Sequence, residues 1–354
     1  MKILVRSALA LACLSLLGTT WSWARRDDTY LPAASPSGPG TVSVLTYNVH
    51  GAPWPITFGR SAKLRQIADR LQRLRAEGRA PGVIVLQEAF SGDAQVIRKT
   101  AGYAYTAVGA GKDEAGAGTM TPFDQVFADG ARWWKGETEG KLVGSGLQIL
   151  SDYPILAVHR MAFPAFACAG WDCLANKGAL MVTLAVPGGP PVDVVTTHLN
   201  SRHASAVPDA RSNYAYGRQV EMLTAFIRAK HDRAHPLIVA GDFNVGPVPP
   251  RREALLTEAR NWAGDETIRD AMHEYRRDGG RMSADAAFSF HRARDWQFYA
   301  AGTTRRIGLL GIEVPFGFEP SGGMLSDHVG YVARYRLDTP AATALATTSG
   351  RAKA

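Results

Sequence analysis

Nine polar side chains in this sequence stand at the ends of short apolar runs: Asn48, Glu88, His198, Asn200, Asp242, Asn244, Asp295, Asp327 and His328. Carboxylates and amides offer hard oxygens to a divalent cation. A histidine exchanges protons near neutral pH. Asp242 and Asn244 lie two apart and point to the same side of an extended chain, so together they can hold a metal-bound phosphate. Each residue also has an ordinary reading. Asp and Asn are common turn formers, and a lone histidine reads equally as a satisfied core residue. The recurrence at strand ends is the signal.

Those residues need rigid elements behind them, and the apolar runs supply them. Leu237 to Gly241 leads straight into Asp242-Phe243-Asn244 and then Gly246-Pro247, a buried strand opening into a loop. VSVLTYN (42–48) ends at Asn48-Val49-His50-Gly51, and VIVLQE ends at Glu88. SGLQIL (145–150), PILAV (154–158), ALMVTLAV and VDVVTTHLN read as further strands, the last carrying His198 and Asn200. Asp295 opens the strand DWQFY, and Ser326-Asp327-His328 precedes the closing strand VGYVARYRL. One amphipathic helix places Leu64, Ile67, Ala68, Leu71 and Leu74 on a single face; a second places Val220, Leu223, Phe226 and Ile227 inward. A short helix follows around Glu253–Ala259. Residues 109–144 are Gly-rich, with Trp133 and Trp134 beside Lys135, and read as a long surface loop or short hairpin. Strand runs with helices between or outside them predict two sheets packed face to face.

Residues 1–24 have the pattern of a secretory signal peptide. Lys2 and Arg6 supply charge, Ala8 to Leu17 an apolar region, and Ser22-Trp23-Ala24 a small-residue cleavage site. The stretch is too short for a spanning helix, and Cys13 leaves with it. A secreted or periplasmic protein cut near Ala24 is the expectation. Removal takes away Lys2 and Arg6, so a formal +8 becomes +6. That charge suits anionic partners, namely phosphates, nucleic acid or lipid headgroups, without choosing among them. Cys168 and Cys173 then remain, with a disulfide plausible across four intervening residues; with no histidine nearby the pair is weak evidence for zinc. Residues 25–40 and 338–354 have the composition of flexible ends. Between them, 41–337 reads as one large domain.

In order along the chain stand TYNVHG, LQE, THLNS, GDFN, DWQF and SDH. As an ordered set, from about Val42 to Leu337, they resemble the endonuclease/exonuclease/phosphatase superfamily. The resemblance implies the DNase I-like fold, an α/β four-layer sandwich of two β-sheets packed face to face with helices outside. NKGAL (176–180), THLNS (197–201) and Arg218-Gln219 ahead of GDFN look most like neutral, magnesium-dependent sphingomyelinases. AP endonucleases carry Asp where this chain has His50 and lack the histidine of THL. Inositol polyphosphate 5-phosphatases share the NKG stretch, but their Pro-x-x-x-Asp-Arg signature is replaced here by Arg294-Asp295-Trp296.

The resemblance further implies a metal-dependent phosphodiesterase that hydrolyses a phosphate ester, of a phospholipid such as sphingomyelin, by in-line attack of water. Asn48, Glu88 and Asp327 are then the expected ligands of Mg²⁺, with Mn²⁺ or Ca²⁺ as alternatives. His328 is the expected base, oriented by Asp295, with His198 opposite it. Asp242 and Asn244 fix the nucleophile and a phosphate oxygen; Lys177 and Asn200 bind substrate. Between Asp295 and His328 lies IGLLGIEVPFGFEPSGGML, which reads either as two core strands or as a hairpin that exposes Phe316 and Phe318 to a membrane surface. A secreted DNase I-like nuclease acting on nucleic acid is the alternative, and a non-catalytic binding module on the same fold the third reading. No feature points to a protein partner.

Overall fold

Alternate residues of a strand face opposite sides, so a strand buried on both faces reads as an unbroken apolar run. The computed structural model shows this along the chain's central strands. It describes residues 40–52, 57–116 and 118–338. The expected signal peptide lies outside the described residues, as do the two terminal segments apart from Gly40 and Asp338. Strand β1 (Thr41–Asn48) points Val42 and Val44 to one side and Leu45 and Tyr47 to the other. In β2 (Val83–Gln87) the valines face the first side and Ile84 and Leu86 the second.

Helix α1 (Arg60–Ala76) links these two parallel strands and buries the five-residue face expected of it. Helix α2 (Ala94–Thr100) packs beside it and leads to β3 (Tyr105–Val108). Next come helix α3 (Pro122–Asp129), β4 (Gln148–Ser151) and β5 (Ile155–Ala162). The hairpin β6 (Gly178–Leu184) and β7 (Val192–His198) precedes α4 (Asp209–Lys230) and β8 (Leu237–Asp242). Helix α5 (Pro249–Ala259), β9 (Arg269–Asp270), α6 (Ala271–Arg277) and α7 (Ala284–Arg292) follow. The chain closes with β10 (Asp295–Ala300), β11 (Arg306–Phe316) and β12 (Gly330–Asp338).

The strands form two six-stranded sheets, β11-β12-β1-β2-β4-β3 and β5-β6-β7-β8-β10-β9. One core lies between them; a second lies under α1 and α2, and a third under α4 and α5. That makes four layers, the DNase I-like sandwich. Polar links cross the central layer. Gln87 Nε2 donates to Thr196 Oγ1 at 3.0 Å, and Gln297 Nε2 to the Val44 carbonyl at 3.0 Å. A buried amide left without such a partner costs about 1–3 kcal/mol, so these links pin one sheet's register on the other.

Two expectations are corrected. Residues 109–144 are not wholly irregular: Thr121 and Asp124 form a reciprocal capping box and Pro122 opens α3. The segment 307–325 is not an exposed hairpin. Most of it is β11, one long edge strand on β12 with two irregularities in register. Phe316 is buried and stacks on Tyr47, ring centroids 4.7 Å apart. Phe318 is half-buried and meets Phe288 edge-on at 5.0 Å. Neither is a free aromatic tip, because the outer face of β1 offers Phe316 an apolar seat. Phe316→Ala is accordingly expected to cost about 3–5 kcal/mol of stability. Urea denaturation checks this; a loss under 1 kcal/mol would return the ring to the surface.

Candidate active site

Register brings the polar strand ends together. In β1 and β2, which run parallel, Asn48 lies opposite Gln87, one residue before Glu88. In β7 and β8, also parallel, His198 lies opposite Asp242. Strand β10 runs antiparallel to β8 and starts there, with Asp295 opposite Asp242. Strand β12 runs antiparallel to β1, so the Ser326-Asp327-His328 turn before it also arrives at this end. Ser326 fastens it: its hydroxyl donates to the Asn48 carbonyl at 2.7 Å and accepts from the His328 amide at 3.2 Å.

Asp242, fully buried, is the hub. Its Oδ2 accepts from Asn48 Nδ2 at 2.9 Å and lies 3.5 Å from His198 Nε2 and 3.6 Å from His328 Nε2. The same Asn48 nitrogen donates to Glu88 Oε1 at 2.9 Å. One amide from the first sheet thus joins carboxylates of both sheets. His328 Nδ1 sits 2.9 Å from each Asp295 carboxylate oxygen. His50, Glu88 and Asn244 have positive φ (49°, 55° and 49°). For residues other than glycine such backbones cost about 1–3 kcal/mol and persist where surroundings over-determine them. Here Arg60 anchors the Val49 and His50 carbonyls at 2.7 Å each, and Asp242 Oδ1 accepts from the Asn244 amide at 3.0 Å.

The two histidines sit in opposite electrostatic settings. Burial pushes His198 down, and the Lys177 ammonium, 3.2 Å from Nε2, pushes it further. An ammonium only donates, so Nε2 is the acceptor and the ring is neutral. Burial also works against charge on His328, but the Asp295 and Asp242 carboxylates overcome it and push its pKa up to about 10. Burial raises the Asp295 carboxyl, and the adjacent imidazolium opposes this. We take the pair as carboxylate and imidazolium, because Nδ1 meets both oxygens at charge-assisted distance.

Lys177 is itself held. Asp172 Oδ2 lies 2.9 Å from Nζ, and Nζ donates to the Leu199 carbonyl at 3.0 Å. Asp172 also accepts from the Ser201 amide. It sits inside the loop closed by a disulfide between Cys168 and Cys173, Cα atoms 5.2 Å apart. Arg251, at the start of α5, is buried and donates to the Asn200 carbonyl at 2.7 Å and the Asn244 carbonyl at 2.9 Å. It clamps the turns after β7 and β8. Asp172 joins nearby Lys177 to distant Ser201, and Arg251 joins nearby Asn244 to distant Asn200, with no motif in the sequence to mark either.

Several of the expected site residues are engaged in other contacts. Asn200 is fully buried and spent on the scaffold: Oδ1 accepts from the Ala169 amide at 3.0 Å and Nδ2 donates to the Ser201 carbonyl at 3.1 Å. Asn48 turns its nitrogen, not its oxygen, to the carboxylates, because Oδ1 accepts from the His50 amide at 2.9 Å. It orients ligands. Among the described residues the close groups of metal-ligating type are Glu88–His198–Asp242 and Asp242–Asp295–His328, each within 4.8 Å; Asp327 is in neither. Its carboxylate faces His50 Nδ1 at 3.2 Å and Arg294 at 3.9 Å, and Arg292 donates to its carbonyl. Against the pull of burial, His328, His50 and these arginines hold Asp327 below the usual carboxylate range. In the second group Asp295 is committed to His328. Glu88 and Asp242 therefore fit a hard cation best, and Glu88 keeps a solvent-facing side.

A family model described as the endonuclease/exonuclease/phosphatase family matches residues 45–328. An inositol phosphosphingolipids phospholipase C of Schizosaccharomyces pombe is 27% identical over 123 residues, 32% of this chain and 28% of that protein. A sphingomyelinase of Mycobacterium bovis is 25% identical over 208 residues, 58% of this chain and 34% of that protein. The chain thus spans about a third of the length of the curated relatives it matches. A beta toxin mutant from Staphylococcus aureus with bound magnesium ions superposes with a TM-score of 0.55 at 16% identity, over 82% of this chain and 98% of that one. That likeness shows the fold.

Proposed function

The chain belongs to the endonuclease/exonuclease/phosphatase family, and from that premise we propose that it is a secreted, metal-dependent phosphodiesterase acting on a sphingomyelin-type lipid. The observation that carries the reading is Asp242, shared between the Glu88–His198 and Asp295–His328 groups. The sphingolipid-cleaving relatives support the substrate class, and the Cys168–Cys173 disulfide supports an oxidising compartment.

A divalent cation held by Glu88 and Asp242 would offset their charge and polarise the phosphate. Asp295 keeps the Nδ1 proton of His328 in place, leaving Nε2 to exchange a proton with water. The fields of Asp295 and Asp242 favour the protonated form of His328. Neutral His198 and the Lys177 ammonium stand on the other side of Asp242, where Lys177 supplies fixed positive charge for the phosphate. Asn244, with its side chain bonded to the Leu199 carbonyl at 3.0 Å, fixes the floor between them.

The deciding experiment incubates purified protein and Mg²⁺ with sphingomyelin, lysophospholipids, plasmid DNA and inositol phosphates. Phosphocholine release from sphingomyelin is expected, abolished by EDTA, restored by Mg²⁺ and reduced in Glu88→Gln. Nicked plasmid with no lipid turnover would establish the nuclease reading instead, and full turnover in EDTA would remove the metal role of Glu88.

A further inference from the structure

A small cavity reaches Asp295 between α6, α7, β10 and β12. Phe290 and Trp296 are among its apolar walls, and Asp270, Ser289, Asp295 and Tyr331 among its polar ones. The volume open to a water's centre is about 10 Å³, room for one molecule. None of the site residues' bonds to one another pass through it.

Its donors and acceptors do not meet directly. Ser289 Oγ and Tyr331 Oη are buried, and among the described residues neither has a hydrogen-bond partner. Leaving a buried hydroxyl unmet is costly, so each calls for a partner. Burial raises the Tyr331 phenol well above its usual pKa, and the Asp270 and Asp295 charges raise it further, so it stays a donor. On the acceptor side, both Asp295 oxygens share one neighbour, His328 Nδ1, at 2.9 Å each. A carboxylate has about four acceptor sites, so Asp295 keeps capacity for further donors. Asp270 is better served. Its Oδ1 accepts from the Met272 and His273 amides at 2.9 and 3.2 Å, and its Oδ2 lies 2.6 Å from His273 Nδ1.

We propose that this cavity binds one structural water, which accepts from Tyr331 and Ser289 and donates to the Asp295 carboxylate. Two hydroxyls and two carboxylates around one small space match the two lone pairs and two hydrogens of a water, and buried waters typically make about three such bonds. Tyr331 and Ser289 are then positioning residues. An ordered donor at Asp295 fixes the plane of its carboxylate, and with it the aim of the His328 ring. Tyr331 belongs to the first sheet and Asp295 to the second, so the water joins the dyad to both. The inference rests on the Asp295–His328 reading of the site, and the test separates the two.

A high-resolution crystal structure of the wild type is expected to show one water within about 3.2 Å of Tyr331 Oη, Ser289 Oγ and an Asp295 oxygen. A dry cavity, or either hydroxyl bonded directly to Asp295, overturns the water. Kinetics test the positioning role. Tyr331→Phe and Ser289→Ala are assayed with Mg²⁺ on sphingomyelin in detergent micelles, with thermal denaturation as a check of the fold. Each is expected to lower kcat about tenfold, the scale of one hydrogen bond to a charged group, with KM unchanged. In an Asp295→Asn background the same changes should cost less than about twofold, because they act through that carboxylate. Unchanged kcat in both single variants, or an undiminished loss without the carboxylate, overturns the positioning role and leaves the dyad standing. Full turnover by Asp295→Asn overturns the dyad and the inference with it. A wild type that leaves sphingomyelin intact overturns the substrate reading, and the crystal structure alone then decides the water.

Discussion

Asp242→Asn is expected to lower kcat by about 10⁴-fold while the protein stays folded. The change keeps the shape and removes one charge, the charge that lies within 3.6 Å of both site histidines. Proton transfer by a positioned group contributes roughly 10²–10⁴-fold, and removing one electrostatic stabiliser costs about 10²–10³-fold. Asp242 touches both functions. An asparagine would also turn an amide toward Asn48 Nδ2, which now donates to a carboxylate at 2.9 Å, and so loosen the aim of Glu88. The measurement is kcat on the substrate found in the hydrolysis panel, with circular dichroism for the fold. A loss under tenfold would mean that the two groups sharing Asp242 do not carry the reaction.

His328→Gln and Asp295→Asn are expected to reduce kcat by about 10²–10⁴-fold for the histidine and less for the aspartate. The double variant should be scarcely worse than His328→Gln. The reason is geometric: Asp295 meets His328 Nδ1 through both oxygens and acts by holding that proton. Residues that work as a unit are non-additive. Multiplicative losses would make Asp295 an independent contributor and break the dyad assignment. Glutamine and asparagine keep a hydrogen-bonding group in each place, and because either single change strands the partner's buried charge, a stability loss of about 3–5 kcal/mol is expected beside the kinetic one.

The strands that carry the site were legible because each is an apolar run terminated by a charged or amide residue. LIVAGD and VDVVTTH alternate faces yet bury both, so their composition alone marks them as central strands. Helix α3 was legible in principle, through Thr121, Pro122 and Asp124, but glycines around it masked the signal. Phe316 was not: a ring at the end of an edge strand faces core or solvent according to a partner far away in sequence, here Tyr47. The same holds for Asn200 and Asp327. Residue type suggests a ligand, but bonds to Ala169 and Ser201 occupy Asn200, and His50 and nearby arginines surround Asp327. Asp172 reaches Ser201 and Arg251 reaches Asn200 as well as their nearer partners, and such long-range bonds are not reported by periodicity.

The Asn48–Asp242 bond crosses the boundary between the two sheets, and so does the Gln87–Thr196 link behind it. The site is therefore a seam, and the two faces of each sheet age differently under mutation. Apolar swaps under α1 or α4 change a helix's seating and leave the seam in register. The same swap in the central layer moves one half of the chemistry relative to the other. Drift in this lineage should accumulate on the outer layers, and a designer seeking a sturdier enzyme would begin there, leaving the middle untouched.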